Sequence, residues 1–386
     1  YGYTRSENKI IFASEAKAIQ AFCDKVFPFP PGHYYDGAGK ILPYIDIAHV
    51  EKFHNHSDKE ISQNINALLT RAVEKRLHSD VPLGFLLSGG LDSSLVCSIA
   101  ARILKTPIVT FSVGINENPI DTKYAKIVAD HLGAHHHEIL FTKEDTLNVL
   151  DELIYHLESW DITTVRASIG MYLICRAIRK TSDIKVLLTG EVSDELFGYK
   201  YTDFAPSPEA FQAEAAKRIR ELYLYDVLRA DRCIAAHSIE ARVPFSDRDF
   251  VQYVMGTPAV KKMNSTGVGK YLLRKAFEVG NYLPHEILYR DKAAFSDAVG
   301  HSMVDHLKAF ADSRYSDQDL DLAKKKYPFA TPFTKESLLY RDIFEKHFPK
   351  RAEWIKDFWM PNKEWQNCNV SDPSARVLPN YGKSGN

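Results

Sequence analysis

The sequence predicts an α/β fold: a parallel sheet with helices on both faces, followed by a mainly helical C-terminal part. Three observations carry this expectation. Short, continuously apolar runs alternate with helical patterns from about residue 57 to about residue 190, as in parallel sheets covered on both sides. Two of those runs end in glycine-containing loops at residues 88–94 and 189–195. Beyond about residue 200 the apolar spacing becomes helical.

Taken in order, residues 1 to about 45 differ in character from the rest. Lys9 to Ala13 reads as a short strand and Glu15 to Phe22 as a brief helix, and a hairpin is expected across Asp36 and Gly37. This stretch is too short to bury a core of its own. From Ser57 onward, Ile61, Ile65, Leu68, Leu69, Ala72 and Val73 recur at helical spacing. Pro82 to Leu87 is an apolar strand that runs into the loop Ser88, Gly89, Gly90, Leu91, Asp92, Ser93, Ser94. A helix carrying Leu95, Val96, Ile99, Ala100 and Ile103 comes next, then a strand at Ile108 to Val113. A helix at Thr122 to Leu132, a strand at His135 to Leu140, two helical stretches in 144–180 and a strand at Lys185 to Thr189 complete the alternation. Ser207 and Pro208 read as the start of a helix whose stripe includes Phe211, Ala215, Ile219, Leu222 and Val227. Residues 366–386 are polar and are expected to be flexible.

Composition narrows the function. The chain has 386 residues, a net charge of -1, 45% hydrophobic and 26% charged residues, an ordinary globular balance. It gives no electrostatic reason for a nucleic-acid partner, and no run approaches the roughly 20 apolar residues that span a bilayer. Cys23, Cys97, Cys175, Cys233 and Cys368 are scattered and form no CxxC, which favours a reducing, cytoplasmic setting over a disulfide or zinc framework. No segment reads as a signal peptide. The chain opens at Tyr1 rather than Met and is expected to be part of a longer protein.

Ligands of parallel sheets bind beyond the carboxyl ends of the strands, where both glycine-containing loops lie. In the first, two glycines let the backbone come close to a ligand. Asp92 and Ser93 can cap the following helix, whose first-turn N–H groups can cradle an anion. Neither GxxxxGK[ST] nor GxGxxG is present. In the second, Thr189 to Glu195, three carboxylates fall within five residues, an arrangement that calls for a nearby cation. His135, His136 and His137 do not make a metal site on a strand, because only alternate side chains share a face.

These segments resemble the asparagine synthetases of the ATP-pyrophosphatase (PP-loop) superfamily, whose sheet is of the adenine nucleotide α-hydrolase type. Ser88 to Ser94 is similar to their pyrophosphate loop, and Thr189 to Glu195 to their SGEGSDE segment. Arg290 to Asp297 matches an RxKExFSDG-like segment. Asp161 to Ser168, Leu228 to Arg232 and His237 to Phe245 also look like the family. Phe12 to Glu15 and Pro30 to Gly32 resemble the end of its N-terminal glutaminase domain. The resemblance therefore implies a glutaminase remnant at 1–45 and an ATP-dependent synthetase domain at 46–365.

It further implies amidation of L-aspartate through β-aspartyl-AMP, with ATP and Mg2+ required and ammonia supplied by glutamine in the full-length protein. Carried over position by position, Leu87 and Val113 would line the adenine pocket. Ser88, Gly89, Gly90 and Ser93 would hold the pyrophosphate, with Thr189 and Gly190 near the nucleotide. Asp92 and Asp194 would bind magnesium. Glu191 would handle the proton of the attacking ammonia, Lys292 would stabilise charge on the α-phosphate, and Glu240 and Arg242 would grip aspartate. A homodimer is a possible assembly. A β-lactam synthetase-like ligase and an inactive nucleotide-binding module are the alternative readings. The departure that bears on activity is Val192, where the family has Gly, because a β-branched residue resists positive φ.

Overall fold

The computed structural model describes residues 1–7, 9–116, 120–291 and 301–381. The N-terminal stretch forms β1 (Gly2–Thr4), β2 (Ile10–Ile11), β3 (Cys23–Val26), β4 (His33–Tyr35) and β5 (Ile41–Pro43). β1 lies between β2 and β3 in an antiparallel sheet, and β4 pairs with β5 as the expected hairpin. The helix expected over Glu15 to Phe22 is only a short 3-10 turn at Ala16–Ala18. Ile19, Cys23 and Val26 bury themselves in the core of the larger body, so this stretch borrows its core from the rest of the chain.

The main body runs α1 (Asp58–Arg76), β6 (Leu83–Leu86), α2 (Leu91–Leu104), β7 (Val109–Ile115), α3 (Ile120–Leu132), β8 (His135–Phe141), α4 (Lys143–Asn148), α5 (Leu150–Leu157), α6 (Ile162–Thr181), β9 (Val186–Leu188) and α7 (Ser193–Phe197). It continues with α8 (Pro208–Glu221), α9 (Asp226–Ala235), β10 (Glu240–Arg242), α10 (Arg248–Met255), α11 (Ala259–Lys262), α12 (Tyr271–Ala276) and α13 (His285–Leu288). The described helices then end with α14 (His301–Arg314), α15 (Asp317–Lys326) and α16 (Lys335–His347). None of the described helices is long and apolar enough to cross a membrane.

Local chemistry explains the boundaries. α1 opens with a reciprocal capping box, in which Ser57 and Glu60 satisfy each other's backbone N–H, and closes on Lys75 and Arg76 near its negative end. Its buried stripe is Ile61, Ile65, Leu69, Ala72 and Val73. Ser207 caps α8, with Pro208 in its first turn.

The sheet has the order β10-β9-β6-β7-β8, and each neighbouring pair is parallel. Successive residues of β9 face opposite layers. Val186 and Leu188 join a core with α1, α2 and α10, whereas Leu187 joins a core with α5, α6 and α9. From β6 the chain winds outward through β7 to β8, then returns to lay β9 and β10 on the other side. The strand order therefore reverses between β6 and β9, and the loops after these two strands flank that crevice.

Two segments depart from expectation. Glu240 to Arg242, expected to grip a substrate, forms β10, a three-residue edge strand whose polar sequence carries no apolar run. The tail expected to be flexible is packed over residues 366–381. Cys368, Ala375 and Leu378 are buried, and Asp372 is paired with Arg166 of α6.

Candidate active site

β6 delivers Leu87 and Ser88 to the mouth of the crevice, where the Leu87 N–H donates to the Phe111 carbonyl at 2.8 Å. The Ser88 N–H then donates to Ser93 Oγ at 3.2 Å, and the Gly90 N–H donates to Ser88 Oγ at 3.3 Å, which winds the loop onto the start of α2. Gly89 has φ +71°, and a Cβ there would lie 2.5 Å from the backbone of Tyr124 and Ala125. Gly190 is equally constrained, because its Cβ would meet the Ser93 nitrogen at 2.6 Å. The acidic loop thus crosses the N-terminus of α2 at backbone contact distance, which only glycine permits.

A side chain that sequence reasoning missed joins the two loops. The Lys270 ammonium donates to both carboxylate oxygens of Asp92 at 2.8 Å, to Ser193 Oγ at 3.0 Å, and lies 2.6 Å from Asp194 Oδ1. Ser193 also donates to Asp92 Oδ1 at 2.8 Å. Lys270 is buried and occupies a left-handed backbone position just before α12. Its signal in the sequence was the glycine pair Gly267 and Gly269 ahead of an amphipathic turn. Asp92 and Asp194 therefore converge on one cationic centre, which is the geometry a divalent ion bound by both would need, and their oxygen chemistry suits magnesium.

Two arginines line the same cleft. Arg290 pairs with Asp121 at 2.9 Å and lies over the Tyr124 ring at 3.7 Å. Arg274, one turn after Lys270, is held by the carbonyls of Gly269, Leu288 and Arg290. The floor of the acidic loop differs. Glu191 accepts from the buried Arg229 guanidinium at 2.6 Å, and Asp226 lies 3.7 Å from the same group. Burial, together with Asp226, Asp194 and Glu191, raises the Glu195 carboxyl well above its ordinary value. Val192 has φ +79° and is buried, so the one departure of this loop does occupy the backbone region that β-branched residues resist.

Leu87, Ser88, Gly90, Asp92, Ser93, Val113, Thr189, Gly190, Glu191 and Asp194 all line one cleft of about 590 Å³. The asparagine synthase family profile matches residues 64–210 and 204–371. The chain belongs to the asparagine synthase family. It is 43% identical over 406 residues to a Gallus gallus asparagine synthetase (glutamine-hydrolysing), covering 95% of this chain and 71% of that protein. It is 44% identical over 387 residues to the Homo sapiens enzyme of the same name, covering 92% of this chain and 68% of that one.

Against that family expectation, the cleft of this asparagine synthase-family chain does not include Glu240 or Arg242. Glu240 is exposed. The Arg242 guanidinium is turned to Glu240 and to the carbonyls of Arg76 and His78 at the end of α1, at 2.7, 2.8 and 2.6 Å. Its carbonyl instead receives the Thr189 N–H at 3.0 Å, so this strand shapes the acidic loop through its backbone. Lys292 lies outside the described residues. The far wall had no signal in the sequence: Pro373, Ser374, Ala375, Asn380 and Tyr381 of the C-terminal segment line the cleft. That segment is pinned at one end by Asp372, which pairs with Arg166 at 3.0 Å and Lys308 at 2.7 Å. At the other end Asn380 donates to the Lys200 carbonyl at 2.7 Å and to Asp203 at 3.0 Å.

Proposed function

We propose that this chain amidates the side-chain carboxylate of L-aspartate at the expense of ATP, releasing AMP and pyrophosphate. The observation that carries the reading is the convergence of Asp92 and Asp194 on one cationic centre at the crevice between β6 and β9, with Glu191 on the same loop. An aspartate oxygen attacks the α-phosphorus, and pyrophosphate departs with the bonding electrons. Ammonia then attacks the acyl carbon of β-aspartyl-AMP, and AMP leaves with the oxygen that aspartate contributed.

The N-terminus of α2, with Ser88, Gly90 and Ser93, suits the departing pyrophosphate, because the first-turn N–H groups point out of the helix and its dipole favours an anion. Arg274 and Arg290 add fixed positive charge where negative charge develops, and Lys270 holds Asp92 and Asp194 together until the ion takes its place. Leu87 and Val113 offer an apolar wall to the adenine, and Thr189 and Gly190 sit beside the nucleotide. Glu191 receives the proton shed by the attacking ammonia. Lys292 is assigned to the α-phosphate on family resemblance. Asp92 and Asp194 would hold magnesium, which supplies charge neutralisation on the phosphates when bound.

Joined to a glutaminase domain, the site would draw its ammonia from glutamine, as the names of the relatives indicate for those proteins. The five buried, unbridged cysteines support a reducing, cytoplasmic setting. The chemistry is tested with aspartate labelled with heavy oxygen in its side-chain carboxylate. Label recovered in AMP supports the acyl-adenylate route. Label in inorganic phosphate, with ADP formed, overturns it.

A further inference from the structure

One face of α9 carries two buried arginines, Arg229 and Arg232, a single helical turn apart. Arg229 holds Glu191 of the acidic loop at 2.6 Å. Arg232 points to the N-terminal stretch: it donates to the Ser14 carbonyl at 3.0 Å and lies 3.2 Å from Glu15 and 3.3 Å from Glu158. Glu158 in turn accepts from the backbone N–H groups of Ala16 at 2.9 Å and Lys17 at 2.5 Å. Lys17 closes the group by pairing with Glu15 and by lying 3.6 Å from Glu158. Two carboxylates and two cations thus form a balanced, largely buried quartet between residues 14–17 and the helix.

We infer that Arg232 is a positioning residue for Glu191, and that α9 couples the segment Ser14–Lys17 to the acidic loop of the cleft. The inference rests on the reading that Glu191 serves the amide-forming step. Three physical points support it. First, residues three apart on a helix are rigidly linked, about 4.5 Å along the axis, so a shift at Arg232 is passed to Arg229. Second, α9 lies within a packed core. Ala230, Cys233 and Ile234 between and beyond the arginines are buried against α5 and α6, and close packing transmits displacement rather than absorbing it. Third, a buried ionic quartet is a poor adhesive. Apolar side chains of similar volume would bind the two surfaces at least as well, whereas charges with fixed hydrogen-bond geometry select one register. Glu158 also holds a left-handed backbone, φ +55°, that places its carboxylate to receive the Ala16 and Lys17 N–H groups.

The geometry makes the state of the Ser14–Lys17 segment readable at Glu191. With the segment seated, α9 is held and Arg229 fixes the Glu191 carboxylate. With the segment displaced, the helix gains freedom and the carboxylate loses its register. The segment that resembles the edge of a glutaminase domain is thereby coupled to the group that handles ammonia's proton.

The test is Arg232→Met, with Arg232→Lys as the conservative variant, in the full chain. Hydrogen exchange is read by mass spectrometry at residues 14–17, 189–195 and 226–235, and it needs no activity. Arg232→Met is expected to speed exchange at 189–195 as well as at the two segments that Arg232 touches, and Arg232→Lys to restore much of the protection. Where the parent forms asparagine from free ammonium, kcat should fall about tenfold with the KM for ATP unchanged. Exchange changes confined to 14–17 and 226–235, with kcat within about twofold of the parent, would overturn the inference. A parent chain without activity would count against the proposed function and leave the exchange result to decide this one.

Discussion

The Lys270 ammonium lies 2.8 Å from each carboxylate oxygen of Asp92 and 2.6 Å from Asp194, so it stands between the two residues expected to hold magnesium. Lys270→Met removes the ammonium that lies between the two carboxylates. Breaking a buried ion pair from one side costs roughly 3 kcal/mol or more, so the variant should unfold at lower temperature in metal-free buffer. Added Mg2+ should then raise its unfolding temperature more than that of the parent, since no ammonium has to move aside. Calorimetry with and without the ion checks this. Equal shifts in the two proteins would show that Lys270 and the ion do not share a position.

Val192 combines burial with φ +79°, two demands that oppose each other. Left-handed backbone costs an ordinary residue about 1–2 kcal/mol, and a β-branched one more. Val192→Gly removes that strain but also the buried side chain. Val192→Ala loses most of the burial and keeps a Cβ at positive φ. The glycine variant should therefore be at least as stable as the alanine variant, the reverse of the usual order at a buried site. Urea unfolding midpoints decide it. A glycine variant weaker than alanine by more than about 1 kcal/mol contradicts strain at this position.

Glu195 has its Oε2 sealed from solvent with no hydrogen-bond partner among the described residues, and its pKa is raised by burial and then by Asp226, Asp194 and Glu191. Above the ordinary carboxyl pKa the unfolded chain releases this proton while the folded chain keeps it, so the group's contribution to stability declines as pH rises towards the folded pKa. Glu195→Gln cannot titrate. Its stability relative to the parent should grow with pH from about 4.5 upward, by at most about 1.4 kcal/mol per pH unit. Paired unfolding curves from about pH 5 to about pH 8 measure the difference. A flat difference would mean that Glu195 is ionised in the fold.

Asp372 anchors the C-terminal wall of the cleft on Arg166 and Lys308, and those cations, outweighing its burial, hold its carboxyl well below the usual range. Asp372→Asn removes charge-assisted hydrogen bonds worth about 1.5 kcal/mol or more. The open population of residues 372–381 should rise about tenfold, seen as faster proteolysis there and weaker nucleotide binding. Unchanged cleavage and binding would show that the anchor is not what holds this wall.

The features legible in the sequence were those with local signatures. Pro82 to Leu87 and Lys185 to Thr189 are apolar enough to be strands, and each runs into a glycine-containing loop, so the crevice could be placed from pattern alone. The conflict at Val192 was visible too, because positive φ is a backbone demand that one side chain either meets or resists. What escaped were relationships between distant residues of ordinary polarity. Lys270 stands 178 residues from Asp92, and Asp372 stands 206 from Arg166. A polar tail with no periodicity reads as solvated, yet here its charges are consumed by buried partners. β10 escaped for a related reason: its pairing with β9 is a matter of backbone, and Glu240 and Arg242 lie outside the cleft that resemblance assigned them to.

Acyl-adenylate chemistry at the crevice between β6 and β9 is tested most directly by incubating the folded chain with aspartate, ATP, Mg2+ and ammonium and quantifying every product. Asparagine, AMP and pyrophosphate are expected in equal amounts, and none of them without aspartate. A folded chain that binds ATP yet releases no pyrophosphate, or one that yields ADP and phosphate, would contradict this chemistry.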